Sequence, residues 1–324
     1  MVIQPVIIIG AGPAGIATAV EVLNRGYKSE DIIILEKSGE IAHMIAAKYP
    51  DEKPVLANYK ERMAECIGDL CITDMTKPEF IEYMKQVITE KKIKVQFHQS
   101  VEKLVKLNSG QWRVDTAEDS WITNVVFVAI GNMSSARTLG VSVDDSIANH
   151  IHDDIQTIKS DQKDVLVVGG GDSAGEYAQI LVSRGHKVWM SYRKDKFSRM
   201  IPQNLEKTTS LINEGKIKYL PNSVVSRIKE NNSRCEVKFN SCEPIEVDAV
   251  VTALGSDRPK SYLKKIGISV EKEDGDDFLE NEQGGIFLVG DLASGKSGGS
   301  INFAFNSGTK AVSKACSLYL DCDA

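Results

Sequence analysis

No two cysteines of this 324-residue chain stand in CxxC spacing, and its six cysteines show no zinc-ligand pairing. Cys66, Cys71, Cys235, Cys242, Cys316 and Cys322 are therefore expected to be reduced thiols. Long apolar runs are missing as well: nothing approaches the roughly 18 residues of a membrane helix. The opening "MVIQPVIIIG" has neither the basic start nor the cleavage site of an export signal, so a cytoplasmic protein without a membrane span is expected. There is no basic block; the net charge is −6 and the lysines are scattered, which argues against nucleic acid as a partner. Neither a Ser/His/Asp set nor a pair of acidic catalytic groups stands out. His43, His98, His150, His152 and His186 are dispersed, and each reads as a surface or internally satisfied imidazole; no metal is expected.

What is present is length enough for two domains, with 42% hydrophobic residues to fill them. Apolar β-branched runs alternate with amphipathic helical segments, the pattern of parallel sheets wrapped by helices. One unit occurs twice. Residues 6–20, "VIIIGAGPAGIATAV", and residues 164–179, "DVLVVGGGDSAGEYAQ", each read as strand, glycine-rich turn and helix. The first copy predicts a strand at 6–9, a helix at 13–25 and a strand at 32–35. A helix near 77–91 follows, opened by Thr76 with Pro78 early in it, and strands fill 93–130. The second copy predicts a strand at 164–168, a helix at 173–184 and a strand at 187–192, with further strands up to "AVVTALG". A strand closing on Gly290 and Asp291 and a last helix near 301–320 complete the chain.

Each copy presents backbone amides as a dinucleotide pyrophosphate requires. In the first, Gly10 permits the tight turn, Gly12 lets the backbone approach phosphate, and Gly15 allows close packing of the helix carrying Pro13 and Ala14. Glu36, with Lys37 beside it, ends the next strand about 20 residues on, where a carboxylate accepts both hydroxyls of an adenosine ribose. FAD and NAD both fit. The second copy reads Gly169, Gly170, Gly171, Asp172, Ser173, Ala174, with alanine for the third glycine. Its following strand ends without a carboxylate but with Arg193, Lys194, Lys196 and Arg199, which suit a 2′-phosphate. The second site thus reads as built for NADPH, leaving FAD for the first.

The order "GAGPAG", "VFVAIG", "GGGDSAGE", "TALG", "GGIFLVGDL" resembles the thioredoxin-reductase-like group of two-dinucleotide flavoproteins over essentially the whole chain. The resemblance implies an α/β fold of two Rossmann-like domains, with an NADPH domain at 132–256 inserted into a discontinuous FAD domain at 1–131 and 257–324. It also implies a homodimer. Carried over, Asp291 with Gly290 binds the FAD ribitol, Val101 meets adenine through its backbone, and Ala129 and Gly131 line the cofactor. Ser300 and Ile301 lie beside the flavin pyrimidine ring, and Glu176 lies near the nicotinamide as a catalytic candidate. "YRKDKFSR" resembles the group's HRRxxxR motif at Arg193 and Lys194, with Arg199 displaced by one position.

Two departures narrow the reading. The region before the second copy has no CxxC, unlike thioredoxin reductases, and Ala14 stands where bacillithiol-disulfide reductases carry a cysteine. The subgroup most similar in text is the NADPH-dependent flavodoxin/quinone reductases. Electrons are then expected to pass from NADPH to FAD and on to flavodoxin or a quinone without a protein dithiol. A ferredoxin–NADP reductase or a bacillithiol-type disulfide reductase is the alternative. Reduced flavin is best held as an anion, so Lys296 and the amides opening the last helix are candidates for offsetting its charge. Cys66 and Cys71, in "ECIGDLC", read as small buried hydrophobes rather than a redox pair, and Lys48, Tyr49 and Asn58 are candidates to shape the acceptor site.

Overall fold

A computed structural model describes residues 2–59, 63–132, 135–269, 278–294 and 299–323. Among these residues the α-helices are α1 (Pro13–Asn24), α2 (His43–Lys48), α3 (Lys77–Glu90), α4 (Asp172–Ser183), α5 (Pro202–Asn213), α6 (Lys260–Lys265) and α7 (Ile301–Leu318). The chain divides into two units, one formed by Met1–Ser134 and Arg258–Ala324, the other by Ser135–Asp257.

The main sheet of the first unit runs Phe278–Glu280, Ile286–Val289, Val125–Val128, Val6–Ile9, Ile32–Leu35, Val95–Gln96. All pairings are parallel except that of Phe278–Glu280 with Ile286–Val289. The four inner strands are buried at every residue. That is why they read as unbroken apolar runs: both faces of a parallel sheet are covered. Val6 and Ile8 pack with α1 and α7, whereas Ile7 and Ile9 face Trp112, Val114 and Trp121 of a second, smaller sheet. In α3, Thr76 and Glu79 close a reciprocal capping box, the start signal visible in the sequence.

The second unit repeats the plan. Its parallel sheet runs Ile151–His152, Ala249–Thr252, Asp164–Val168, Lys187–Ser191, Ile217–Leu220. Val165 and Val167 pack against α4, and Leu166 and Val168 against the sheet containing Ile228 and Val237. Helix α5 has no counterpart in the elements expected from sequence. Its segment "PQNLEKTTSLIN" buries only Thr208, so it lacks an apolar stripe strong enough to announce a helix.

The cysteines require a correction. Cys66 is bonded to Cys71 and Cys316 to Cys322, while Cys235 and Cys242 are free. Cys66 and Cys71 are exposed rather than buried. The cause lies on α7. Asn302 accepts from the Ile72 amide at 3.0 Å and donates to the Ile72 carbonyl at 3.0 Å. One turn later, Asn306 accepts from the Ile67 amide at 3.3 Å and donates to the Glu65 carbonyl at 2.7 Å. These two amides fold the loop back until the Cα atoms of Cys66 and Cys71 are 5.8 Å apart. Nothing in the cysteine spacing announces such a clamp.

Replacing Asn302 with alanine strands the buried backbone N–H and C=O of Ile72. A loss of about 1–3 kcal/mol is expected. Urea unfolding of the variant beside the parent measures it.

Candidate functional site

The first glycine turn joins the buried strand Val6–Ile9 to α1, whose N-cap Gly12 has no side-chain capping bond, leaving its first amides without a side-chain partner. Gly10 has φ +103, and a Cβ there would lie 2.6 Å from the Ala129 carbonyl oxygen. At Gly15 it would lie 2.0 Å from the Gly10 carbonyl oxygen, so strand, turn and helix meet at backbone contact. Around Gly12 the nearest such contact is 3.9 Å, leaving that face open to approach. Pro13 opens α1, and the Ala129 amide donates to Ile9 at 2.8 Å.

Glu36 is 7% exposed and points back into the turn. Its Oε2 accepts from the Ala11 amide and its Oε1 from the Ser38 amide and hydroxyl, each at 2.8 Å. Lys37 beside it is exposed. Sequence reasoning missed two side chains: Gln96, which pairs with Leu35 next to Glu36, and Asn132, which follows Gly131, itself at φ +68. Gln96 Oε1 and Asn132 Oδ1 are buried and, among the described residues, have no hydrogen-bond partner. Buried polar atoms are rarely orphaned, so these acceptors, the Cβ-free turn and the oriented carboxylate fit a bound dinucleotide.

Gly290, at φ +69, donates to Ser307 Oγ at 2.8 Å, and a Cβ on it would come within 2.7 Å of the Ala14 methyl. Asp291 Oδ1 accepts from the Gly299 amide at 2.7 Å. Burial pushes its carboxyl up from the ordinary aspartate range, and the Gly299 bond opposes this. Ionisation of Asp291 therefore costs the folded protein, and that cost appears as pH rises through the ordinary range near about 4. Asp291→Asn is expected to flatten this pH dependence and raise the melting temperature of cofactor-free protein at neutral pH, while weakening FAD retention. Thermal melts at several pH values and the flavin content together measure it.

Val101 is buried, and its carbonyl accepts from the Tyr262 hydroxyl at 2.8 Å. The start of α7 differs from expectation. Ser300 Oγ bonds the Ala57 carbonyl at 2.7 Å and the Phe303 amide at 3.3 Å, while the Ile301 and Asn302 amides donate to Leu56 and Ala57. The amides opening α7 are thus already engaged by Leu56, Ala57 and Ser300, in part from the segment between α2 and α3, and the charge-offsetting role expected of them is corrected accordingly. Lys296 lies outside the described residues. Of the residues expected to shape an acceptor site, Asn58 accepts from the Ala64 amide at 2.8 Å and the Tyr49 carbonyl accepts from Lys77 at 2.8 Å. Lys48 ends α2.

The second turn repeats the first. Gly169 has φ +155, and a Cβ would lie 2.4 Å from the Ala253 carbonyl oxygen, the counterpart of Ala129. The ring of Tyr192 lies against Gly170, 2.4 Å from where a Cβ would be. Gly171 caps α4 without a side-chain bond and has open space around it. Ala174, in the place of Gly15, is fully buried, and Ser173 is exposed. Asn204 of α5 donates to Asp172 Oδ1 and to Glu176 Oε1, both at 3.1 Å, and the Ile201 amide donates to Asp172 at 2.7 Å. Asp172 and Glu176 thus tie α4 to α5.

Arg193, Lys194, Lys196 and Arg199 are exposed. Their turn returns to the glycines, because Arg199 forms a β-bridge with Gly171. Beneath it Phe197 packs between Tyr192 and Tyr219, and the Tyr219 hydroxyl donates to the carbonyls of Lys194 and Asp195. Burial pushes the Tyr219 phenol up to about 12, which keeps it a donor.

Two glycine cradles in one α/β chain, the first ending on a carboxylate and the second on cations, define a two-dinucleotide oxidoreductase. The chain belongs to the pyridine nucleotide-disulphide oxidoreductase family, whose model matches residues 7–290. It is a flavoprotein oxidoreductase that uses FAD and NADPH. It is 29% identical over 315 residues to bacilliredoxin reductase of Bacillus subtilis (strain 168), covering 93% of each chain. To ferredoxin–NADP reductase of Geobacillus thermodenitrificans (strain NG80-2) it is 25% identical over 304 residues, covering 90% of this chain and 85% of the relative. Among solved structures it is similar to bacillithiol disulfide reductase from Staphylococcus aureus (TM-score 0.80, 22% identity, 98% and 99% covered). It is also similar to Lactococcus lactis thioredoxin reductase (TM-score 0.76, 21% identity, 98% and 99% covered). These relatives are named for bacilliredoxin, bacillithiol, ferredoxin and thioredoxin, not for the flavodoxin and quinone that the sequence resemblance suggested. No described helix is long and apolar enough to cross a membrane.

Proposed function

We propose that the first unit holds FAD and the second NADPH, and that electrons from NADPH leave the protein to an external disulfide. One observation carries the cofactor assignment: the two cradles share their construction but differ after the following strand, Glu36 in one and Arg193 with Lys194 in the other. Gly10, Gly12, Pro13, Gly15, Ala129 and Gly131 cradle the pyrophosphate of FAD, Glu36 takes the ribose hydroxyls, and Asp291 faces the ribitol. Gly169, Gly171, Ser173 and the N-terminus of α4 take the NADPH pyrophosphate, with Arg193, Lys194 and Arg199 on the 2′-phosphate. When bound, FAD accepts a hydride from NADPH and passes electrons on. Glu176, held by Asn204, orients the nicotinamide side, and Lys296 offsets negative charge near FAD.

The disulfide class is favoured over flavodoxin, quinone and ferredoxin by the family's description as disulphide oxidoreductases and by the similarity to a bacilliredoxin reductase. Anaerobic turnover with NADPH against a panel of a disulfide, a quinone, flavodoxin and ferredoxin tests it. The disulfide is expected to be reduced fastest. Fastest reduction of any of the others contradicts the acceptor assignment.

A further inference from the structure

The strands of the second unit's main sheet are all parallel, so their C-terminal ends share one edge, and a dinucleotide lies along such an edge. With the pyrophosphate at Gly169 and Gly171, which follow Asp164–Val168, the adenosine half lies toward Arg193 and Lys194, which follow the neighbouring strand Lys187–Ser191. One direction is left for the nicotinamide half: away from Lys187–Ser191, over the ends of Ala249–Thr252 and Ile151–His152. His152 closes that path, two strand spacings or about 10 Å from the central strand.

His152 departs from the expectation that every histidine of the chain lies at the surface or is internally satisfied. Its Nδ1 shares a hydrogen bond with Thr157 Oγ1 at 2.7 Å, but its Nε2 is buried and, among the described residues, has no partner. Among those residues no other histidine nitrogen is buried and unpartnered; His150 and His186 each bond a backbone carbonyl through Nδ1 at 2.7 Å. The residue is also held in place. Its carbonyl accepts from the Thr252 hydroxyl at 3.1 Å, and it pairs with Val251, whose side chain packs with α4. Paired residues of adjacent strands share a face, so the imidazole stands on the face of the sheet that carries α4 and Glu176.

Burial pushes the His152 pKa below the ordinary histidine value; Asp154 and Asp153 oppose the shift, and His150 and Lys159 add to it. At neutral pH the ring is therefore uncharged, with one nitrogen donating and the other accepting. A sugar hydroxyl both donates and accepts, so it satisfies Nε2 whichever tautomer Thr157 selects. Buried polar atoms are rarely left without a partner, and the place of this one in the sheet says which group supplies it.

We infer that His152 is a positioning residue for the nicotinamide half of NADPH, its Nε2 hydrogen-bonded to a hydroxyl of the nicotinamide ribose. The inference rests on the assignment of NADPH to the second unit. Recognition is then divided along the sheet edge: Arg193 and Lys194 select the 2′-phosphate at one end, and His152 holds the sugar at the other, which limits rotation of the nicotinamide ring that the sugar carries.

Titration calorimetry of FAD-loaded protein tests this without turnover, using three ligands. Adenosine 2′,5′-bisphosphate has the 2′-phosphate but no distal half, 2′-phospho-ADP-ribose adds the distal ribose, and NADP⁺ adds the nicotinamide. His152→Asn removes Nε2 while leaving an amide to bond Thr157. It is expected to bind the bisphosphate as the parent does and the other two ligands about three- to tenfold more weakly. His152→Gln, whose longer amide reaches the Nε2 position, is expected to recover most of that loss. Flavin content and parent-like binding of the bisphosphate confirm that each variant is folded. Parent-like affinity of His152→Asn for NADP⁺ overturns the inference and leaves the NADPH assignment standing. A loss confined to NADP⁺ overturns the ribose contact and moves it to the nicotinamide ring, and an equal loss for all three ligands shows a structural role only. Failure of the parent to bind the bisphosphate overturns the NADPH assignment itself, and the inference with it.

Discussion

Exchange of Arg193 and Lys194 for alanine is expected to remove most of the preference for NADPH over NADH. Each charged hydrogen bond to a 2′-phosphate is worth about 1.5–3 kcal/mol, a factor of about 10 to 150 in affinity. Both side chains are exposed, which screens them and places the expected loss toward the lower end of that range. The effect falls on NADPH and spares NADH, because the glycine turn and the α4 N-terminus that hold the shared pyrophosphate are untouched. Comparing kcat/KM for the two nucleotides, parent against variant, measures it. Equal losses for both would place the 2′-phosphate elsewhere.

Gly15→Val is expected to yield protein that does not retain FAD. The Cβ of any residue at this position would lie 2.0 Å from the Gly10 carbonyl oxygen, a backbone atom that cannot step aside without opening the turn. Overpacking of this kind costs about 1–3 kcal/mol even where side chains can move. Gly185→Ala provides the contrast: Gly185 also has positive φ, but nothing lies within 4 Å of its Cβ direction, so only the modest strain of the left-handed region remains. The ratio of flavin to protein after purification distinguishes the two. Parent-like FAD retention by Gly15→Val would contradict the cradle assignment.

How much of this was legible in the sequence follows from where each signal resides. The strands Val6–Ile9, Ile32–Leu35 and Asp164–Val168 stand where the apolar runs predict them, since strands buried on both faces must be apolar throughout. The glycines were equally plain, because close backbone approach at Gly10, Gly15 and Gly169 excludes other residues. Helix α5 was hidden by its polar surface, and Gln96 and Asn132 are ordinary residues until burial leaves their oxygens without partners. The cysteines were misjudged for a related reason. The Cys66–Cys71 pairing is held by Asn302 and Asn306, more than two hundred positions away on α7, and sequence-local spacing carries no trace of such contacts.

The central claim, a hydride route from NADPH in the second unit to FAD in the first, is tested most directly by mixing FAD-loaded protein with NADPH without oxygen and following the flavin absorbance. The account predicts that the flavin band bleaches rapidly with NADPH and much more slowly with NADH. A band that persists under excess NADPH, or that bleaches equally fast with both nucleotides, would contradict it.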